Sequence, residues 1–230
     1  MDHFRNIYQN KALEYHQMIA AEDVDGNLTP ALRSLLGNQR RILDFGAGTG
    51  RISLLLHPLD YEVTAIDLHL AMLLENKQQR NLMGGRWPLL CSDMRCLPFP
   101  SQSWEAAIAG WAIGHLRAWY DSDWEKQIGA VISEMNRVVQ PNGTLIILET
   151  LGTGFSSPQP PSPQLAEYYK KLEEQWGFSR QEIQTDYLFK DVDDAVDKTS
   201  FFFGRELAEK VVANNWQRLP EWTGLWSRTT

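Results

Sequence analysis

LDFGAGTG, residues 43–50, places an apolar strand end directly before a loop with glycine at every second position. The three glycines, Gly46, Gly48 and Gly50, allow the backbone to turn sharply and to approach a ligand closely. The residues that follow, Ile52 to Leu56, are those of a helix start. This segment therefore predicts a strand, a ligand-binding loop and a helix in immediate succession.

The same alternation of short apolar strands and helical spacing continues through the centre of the chain. It predicts strands at 62–67, 89–91, 106–109 and 145–148, a helix at 70–82, and a helix around 128–139 that Pro141, Asn142 and Gly143 terminate. Strands that alternate with helices form a parallel sheet with helices packed on it. The sequence alone therefore predicts an α/β fold.

The flanking segments complete a single domain of 230 residues. Apolar residues at three- and four-residue steps predict one amphipathic helix from Phe4 to Ile19. Beyond Glu149 we expect a proline-rich loop, helices near 165–175 and 206–214, a strand near 183–189 and a terminal strand near 222–226. We divide the domain into an N-terminal helical cap (1–38), a cofactor-binding core (39–150) and a C-terminal part (151–230) with a substrate-side loop and the final strands.

Composition and charge exclude several classes of protein. The net charge of −7 repels a phosphate backbone, so we expect no nucleic-acid partner. The chain has no apolar stretch of membrane-spanning length and no secretory hydrophobic region, so we expect a cytoplasmic protein without membrane insertion. We expect Cys91 and Cys96 to be buried thiols, and no histidine or cysteine spacing predicts a metal site.

Two carboxylates near the glycine loop indicate what it binds. Asp67 ends the next predicted strand, where a carboxylate can accept hydrogen bonds from the two hydroxyls of a ribose. The loop is G-x-G-x-G rather than the G-x-G-x-x-G of dinucleotide-binding proteins. Asp44, just before the first glycine, would oppose a pyrophosphate and suits a cationic ammonium. A dinucleotide-dependent oxidoreductase is therefore the less favoured of the nucleoside-binding alternatives.

Four segments in the right order resemble the class I S-adenosylmethionine-dependent methyltransferases, in particular the enzymes of ubiquinone and menaquinone biosynthesis. They are LDFGAGTGR, AIDLHLAML with Asp67, SDMRCLPF with Asp93, and RVVQPNGTLIILE. The resemblance implies a Rossmann-like sheet of seven strands, mostly parallel with the last strand antiparallel, and helices on both faces. It also implies S-adenosyl-L-methionine as cofactor.

The resemblance implies a role for each matching residue. Asp44, Gly46, Ala47 and Gly48 would line the methionyl end of the cofactor, Asp67 would hold the ribose, and Leu68 would lie against adenine. Asp93 would accept the exocyclic amino group, the Met94 backbone would complete adenine recognition, and Gly110 and Trp111 would lie near the sulfonium.

The candidate residues for the acceptor site lie in AGWAIGHL, residues 109–116, and in the N-terminal helix. The segment differs from the N/D-P-P-Y motif of amino-methylating enzymes, which disfavours a nucleic-acid base and favours a small-molecule acceptor. His115 is the candidate general base, although a histidine here can equally orient a loop. Tyr8, Tyr15 and Trp111 are candidates for acceptor contacts, and the alternative for the two tyrosines is simple packing.

The sequence therefore predicts a methyltransferase that acts on a small molecule. We further expect the loop 156–163 and the pair Tyr168 and Tyr169 to help form the acceptor site. A non-catalytic S-adenosylmethionine-binding or regulatory protein on the same fold stays open as an alternative, because no single essential catalytic residue defines the family.

Overall fold

The computed structural model describes residues 3–230 and is built on a seven-stranded sheet of order β3-β2-β1-β4-β5-β9-β6. The strands are β1 (Arg41–Phe45), β2 (Glu62–Asp67), β3 (Leu89–Cys91), β4 (Trp104–Gly110), β5 (Val139–Thr153), β6 (Ser179–Gln184) and β9 (Glu221–Thr229), with β7 (Tyr187–Leu188) and β8 (Arg218–Leu219) in a separate two-stranded sheet. Strands β1 to β5 are parallel, and β9 runs antiparallel between β5 and β6. The predicted fold class is confirmed, including the antiparallel last strand.

Helices cover both faces of this sheet. They are α1 (His3–Asn10), α2 (Ala12–Ile19), α3 (Leu28–Leu36), α4 (Arg51–Leu56), α5 (Leu70–Leu82), α6 (Gly114–Trp119), α7 (Trp124–Val138), α8 (Pro163–Glu174), α9 (Val192–Phe202) and α10 (Arg205–Asn214). Alternate residues of β1 show the two layers: Leu43 packs with α7 and α8, and Ile42 packs with α3 and α4. The sheet is therefore buried on both faces, as its continuous apolar strands require.

The N-terminal segment differs from the single predicted helix. The helix breaks at Lys11, whose backbone angles (φ −136°, ψ 37°) leave the helical region, so α1 and α2 are separate. A third helix, α3, buries Leu28, Leu32 and Leu36 at four-residue steps, and our reading of the sequence missed it. Helices α1 and α2 bring the aromatic side chains of Tyr8 and Tyr15 to the carboxyl ends of β1 and β2.

The C-terminal segment also differs in detail. The strand predicted over 183–189 is split, because Tyr187 and Leu188 leave the main sheet and pair with Leu219 and Arg218. Helix α9 was not predicted from the sequence. Together with α2 and α10, the small sheet and α9 enclose their own apolar cluster. This cluster supports the helices that cover the candidate site.

The turn predicted at Pro141–Gly143 does end α7, at Val138, but the chain is already extended from Val139. Asn142 takes the left-handed conformation (φ 66°), and a side chain on Gly143 would come within 2.5 Å of the Glu105 carbonyl oxygen. The irregular register of β5 against β4 starts here.

Two further observations concern the surface. Cys91 and Cys96 are exposed rather than buried, because Cys91 lies on the short edge strand β3 and Cys96 in the turn after it. None of the helices within residues 3–230 combines the length and the apolar character that crossing a bilayer demands.

Candidate functional site

A cavity of about 350 Å³ opens where the carboxyl ends of β1, β2 and β4 meet the helices α1 and α2. Ligands of open α/β sheets bind at this edge, at the point where the strand order reverses on either side of β1. Of the residues that were predicted for the site, the thirteen outside the C-terminal part of the chain all line the cavity: Tyr8, Tyr15, Asp44, Gly46, Ala47, Gly48, Asp67, Leu68, Asp93, Met94, Gly110, Trp111 and His115. The structure therefore brings together side chains from five separate segments.

The glycine loop forms the floor of the cavity. Gly46 and Gly48 have positive φ values of 63° and 53°, and a Cβ atom on Gly46 would lie 2.5 Å from the Ala112 side chain. The Ala47 amide donates to the Ile66 carbonyl (2.8 Å), and the Gly48 amide donates to Asp67 Oδ2 (2.9 Å). The loop is thus tied to the neighbouring strand β2 and held open toward the cavity.

Asp44 is buried with one oxygen satisfied and the other not. Its Oδ2 accepts hydrogen bonds from the Ser53 amide (3.1 Å) and the Ser53 hydroxyl (2.6 Å), whereas its buried Oδ1 has no hydrogen-bond partner among residues 3–230. Burial raises the pKa of Asp44 to about 7, against the lowering effect of the two Ser53 hydrogen bonds. A carboxylate with one unpartnered oxygen beside a cavity can receive a cationic donor such as a primary ammonium.

Asp67 presents a carboxylate whose orientation is fixed by the backbone. Its Oδ2 accepts from the Gly48 amide and its Oδ1 from the His69 amide (2.7 Å). Each carboxylate oxygen has a further lone pair. Asp67 can therefore accept two additional hydrogen bonds, as the adjacent hydroxyls of a ribose would require.

The far wall of the cavity holds Asp93, and the structure adds a partner that the sequence analysis missed. Arg95 donates to Asp93 Oδ1 through its Nε (2.9 Å) and through its backbone amide (2.9 Å). The side-chain hydrogen bond foremost, and the backbone one with it, hold the pKa of Asp93 below its ordinary value. The Arg95 guanidinium also lies 5.1 Å from the Tyr120 ring centroid. Leu68 and Met94 supply apolar surface on the same wall.

Aromatic side chains and the imidazoles of His69 and His115 form another part of the cavity wall. The Tyr8 hydroxyl and His115 Nε2 share a hydrogen bond of 2.8 Å, and the His115 ring stacks on Trp119 with centroids 5.2 Å apart. Tyr15 contacts Tyr8 edge to face (5.4 Å), and burial raises the pKa of Tyr15 to about 12. This part of the cavity, its aromatic end, is therefore apolar with a small number of placed polar atoms, as small-molecule sites commonly are.

Trp111 also lines the cavity, in a conformation that a bulky residue adopts only under constraint. Its φ of 51° is left-handed. The Arg51 guanidinium carbon lies 3.3 Å from its ring centroid, and Arg51 Nη2 in turn contacts Glu22 Oε1. Arg51 lies within the loop motif LDFGAGTGR, but neither it nor Glu22 was predicted from the sequence to be part of the site.

The predicted substrate-side loop is not part of this cavity. Among residues 3–230, no lining residue follows Tyr120. Tyr168 and Tyr169 are buried in the core, and the Tyr169 hydroxyl donates to the Thr150 carbonyl (2.8 Å). These two rings are buried and pack α8 against the sheet, so they do not line this cavity. The expectation that residues 156–163 help form the acceptor site stays a prediction.

Several known proteins similar to this chain are methyltransferases. Residues 43–147 match the family model described as a methyltransferase domain. A malonyl-[acyl-carrier protein] O-methyltransferase from Legionella pneumophila is 32% identical over 151 residues, which are 63% of this chain and 48% of that protein. A ubiquinone/menaquinone biosynthesis C-methyltransferase from Syntrophotalea carbinolica is 32% identical over 144 residues, 61% of this chain and 54% of that protein. The chain thus spans about half the length of these relatives.

A solved structure shares the fold at low sequence identity. Phosphoethanolamine N-methyltransferase 2 of Haemonchus contortus, in complex with phosphomonomethylethanolamine and S-adenosylhomocysteine, superposes with a TM-score of 0.62 and 15% identity. The match covers 98% of this chain and 58% of that one.

Proposed function

The chain belongs to the class I S-adenosylmethionine-dependent methyltransferases, and from this premise we propose that it transfers a methyl group from S-adenosylmethionine to a small-molecule acceptor. The observation that carries the proposal is the buried, unpartnered Oδ1 of Asp44 next to the backbone-held carboxylate of Asp67. An amino-acid ammonium and a ribose would supply the donors that these two carboxylates lack.

The remaining lining residues fit the other parts of the same molecule. Leu68 and Met94 would lie against adenine, and Asp93 would accept the exocyclic amino group while Arg95 holds its carboxylate in place. The cofactor would supply an electrophilic methyl group on a sulfonium, which is a good leaving group. Gly110 and Trp111 would border that methyl group, and the protein would contribute alignment and exclusion of water.

The acceptor would bind at the aromatic end. Tyr8, Tyr15 and Trp111 offer apolar surface for it, and His115 would take its proton where the acceptor atom carries one. Because Tyr8 shares its hydrogen bond with His115 Nε2, the Tyr8 hydroxyl would pass that proton on to the imidazole. The relatives and the solved structure named above methylate oxygen, carbon and nitrogen, so family membership leaves the acceptor atom open.

The test is calorimetric titration of the protein with S-adenosylhomocysteine. We expect micromolar binding, which corresponds to about −8 kcal/mol. Asp67→Ala should weaken it by about 1.5–3 kcal/mol, roughly 10- to 150-fold, because it removes a charge-assisted hydrogen-bond acceptor. Asp121→Asn, at a side chain that is 96% exposed, serves as the control and should bind as the wild type does.

Three other outcomes would decide against the proposal. No heat with folded wild-type protein would reject a cofactor site. Tighter binding of NAD than of S-adenosylhomocysteine would favour the dinucleotide alternative. Binding without methyl transfer to any of a broad panel of hydroxyl, amine, thiol and carbon acceptors would favour the non-catalytic alternative.

A further inference from the structure

Arg51 and Glu22 form a buried ion pair on the wall of the cavity that the proposed function does not use. The Arg51 side chain is 14% exposed and the Glu22 side chain 1%, and Arg51 Nη2 contacts Glu22 Oε1. Burying two charges costs desolvation free energy, which offsets most of their mutual attraction, so a buried ion pair adds little net stability compared with apolar packing. A guanidinium kept charged beside a ligand cavity has a different use, which is to bind an anion.

The position of Arg51 identifies the end of the cavity that it serves. Arg51 begins α4, and Ser53 in the same turn holds Asp44 Oδ2 through its amide and hydroxyl. The Arg51 guanidinium covers one face of Trp111 at 3.3 Å. The other two arginines on the wall lie elsewhere, since Arg95 is bound to Asp93 and Arg5 lies over Trp119. Arg51 is therefore the cavity arginine that shares a helical turn with Ser53, the residue that binds Asp44.

The chemistry of an amino acid explains the pairing of Asp44 with Arg51. The ammonium and the carboxylate of an α-amino acid share one carbon atom, so their polar atoms are less than about 4 Å apart. A ligand whose ammonium lies at Asp44 must therefore place its carboxylate close by. A guanidinium has five N–H donors in a planar fork, so contact with Glu22 through Nη2 leaves other donors that can reach a carboxylate.

We propose that Arg51, held by Glu22, binds a carboxylate at the Asp44 end of the cavity. The favoured source is the methionyl carboxylate of the cofactor, and in that respect the inference rests on the proposed function. The second source is a carboxylate on the acceptor, which would reach the same guanidinium from the Trp111 side. Glu22 is a positioning residue, because it fixes the guanidinium and compensates its charge.

The experiment compares two ligands that differ only in the carboxylate: S-adenosylhomocysteine and its decarboxylated analogue. Their affinities are measured by calorimetry for the wild type and for Glu22→Gln/Arg51→Gln, which removes both charges together and leaves no uncompensated buried charge. A single Arg51→Lys variant keeps the charge but loses the fork. Asp194→Asn/Lys198→Gln removes an ion pair that is outside the cavity and serves as the matched control.

We expect the wild type and the control to bind S-adenosylhomocysteine at least about tenfold more tightly than the decarboxylated analogue, as a charged hydrogen bond allows. In Glu22→Gln/Arg51→Gln this ratio should fall to about one. Affinity for S-adenosylhomocysteine should decrease because its carboxylate loses the guanidinium, whereas affinity for the analogue, which has no carboxylate, should stay unchanged. Arg51→Lys should give an intermediate ratio, and it provides the result should the double variant fail to fold. An undiminished ratio in folded variants would overturn the inference.

A second titration separates the two sources. If the wild type binds both ligands equally, malonate is titrated into the complex with S-adenosylhomocysteine, and binding that disappears in the Arg51 variants would assign the carboxylate to the acceptor. Absence of malonate binding after equal affinities would overturn the inference while leaving the methyl-donor site intact. Failure of the wild type to bind either nucleoside ligand would instead overturn the proposed function itself, together with the inference that depends on it.

Discussion

Asp44 illustrates how a residue proposed to bind a ligand can oppose the stability of the ligand-free protein. Because burial raises its pKa to about 7, the folded protein binds a proton here that the unfolded chain releases near the ordinary value of 3.8. The stabilising contribution is therefore present at low pH and is lost as the pH rises toward 7. Above pH 7 the buried carboxylate is charged, with Oδ1 unpartnered until a ligand supplies a cation.

This conflict predicts opposite effects of Asp44→Asn on binding and on stability. The amide oxygen can still accept the Ser53 hydrogen bonds but carries no charge. We expect affinity for S-adenosylhomocysteine to fall about tenfold or more, while the melting temperature of the ligand-free protein at pH 8 rises by several degrees. Calorimetry and thermal melts at pH 6 and pH 8 check both effects, and the gain in melting temperature should be smaller at pH 6. A variant that loses stability at pH 8 while binding normally would contradict this account.

The Tyr8–His115 contact predicts a loss of turnover without a loss of cofactor binding. For an acceptor that must lose a proton, His115→Ala should lower single-turnover methyl transfer by about a hundredfold to ten-thousandfold. Tyr8→Phe should lower it in the same direction, because the hydroxyl that reaches Nε2 is gone. His57→Ala, a change outside the cavity, is the control and should be neutral. Full activity of His115→Ala would show that the acceptor needs no base.

Local sequence order determined which individual residues could be predicted. Asp44, Gly46, Gly48 and Asp67 could be inferred because the loop and the strand end that carry them are contiguous in sequence. Pairings between distant segments could not: Tyr8 and His115 are 107 positions apart, and no sequence pattern at that separation predicts a hydrogen bond. The same holds for the contact between Glu22, in the turn after α2, and Arg51, at the start of α4.

We expect ligand binding to change the local stability of the helix α1. It has eight residues, and a helix this short is not stable alone in water. Its stability comes from burying Ile7 and Tyr8 against Met72, at the edge of the cavity that Arg5 and Tyr8 line. Opening of α1 would therefore be a local event that exposes the site without unfolding the sheet.

Hydrogen exchange tests this expectation. Amides of residues 3–10 should become protected severalfold in the complex with S-adenosylhomocysteine, whereas those of the central strand β4 should be unchanged. Ile7→Ala should speed dissociation of the ligand because it weakens the closed position of α1. Leu32→Ala, at a fully buried residue of α3 outside the cavity, should lower the melting temperature, as such truncations cost about 2–5 kcal/mol, but leave dissociation unchanged. Equal dissociation rates in both variants and the wild type would exclude a covering role for α1.

Elements with a regular apolar pattern were predicted well, and those fixed by tertiary contacts were not. The strands β2 and β3 and the helix α5 have the predicted bounds because turn residues delimit continuous apolar or periodic runs. The strand predicted at 183–189 was divided because Tyr187 packs into the cluster of α2, α9 and α10 instead of the sheet. Similarly, the proline-rich loop could be located by composition, but composition does not indicate which side of the sheet a loop covers.

For the whole molecule, buried carboxyl groups dominate the expected dependence of stability on pH. Besides Asp44, burial raises the pKa of Glu149 to about 8 and that of Glu221 to about 8, although each accepts a hydrogen bond, from the Gly114 amide (2.7 Å) and the Thr150 hydroxyl (2.7 Å) respectively. Their ordinary value is 4.5, so folding takes up protons between pH 4.5 and 8. The free energy of unfolding should therefore decrease as the pH rises through this interval, by up to about 1.4 kcal/mol per pH unit for each such group.

Other groups with shifted pKa values change the free energy of unfolding mainly below pH 6.5. Hydrogen bonds from Arg95 and Arg137 lower the pKa values of Asp93 and Glu134, so their contribution to stability is lost only at acidic pH. Burial lowers the pKa of His16 below 6.5, which makes stability rise with pH only up to about that value. The range from pH 6.5 to 8 therefore reports mainly on the buried carboxyl groups.

We accordingly predict that the melting temperature of the ligand-free protein falls steadily from pH 6.5 to pH 8. Glu149→Gln should flatten this dependence, because the amide oxygen can still accept the Gly114 hydrogen bond but the side chain no longer ionises. Glu174→Gln, at a largely exposed side chain, should leave the slope unchanged. Scanning calorimetry at half-unit intervals of pH, at constant ionic strength, measures the slope for all three proteins. A melting temperature that rises over this range would contradict the prediction. A slope that Glu149→Gln leaves as steep as in the wild type would mean that Glu149 is already ionised in the folded protein near neutral pH. Its burial would then be compensated by contacts other than those with the Gly114 amide and with the Tyr168 hydroxyl, which lies 3.5 Å from Glu149 Oε1.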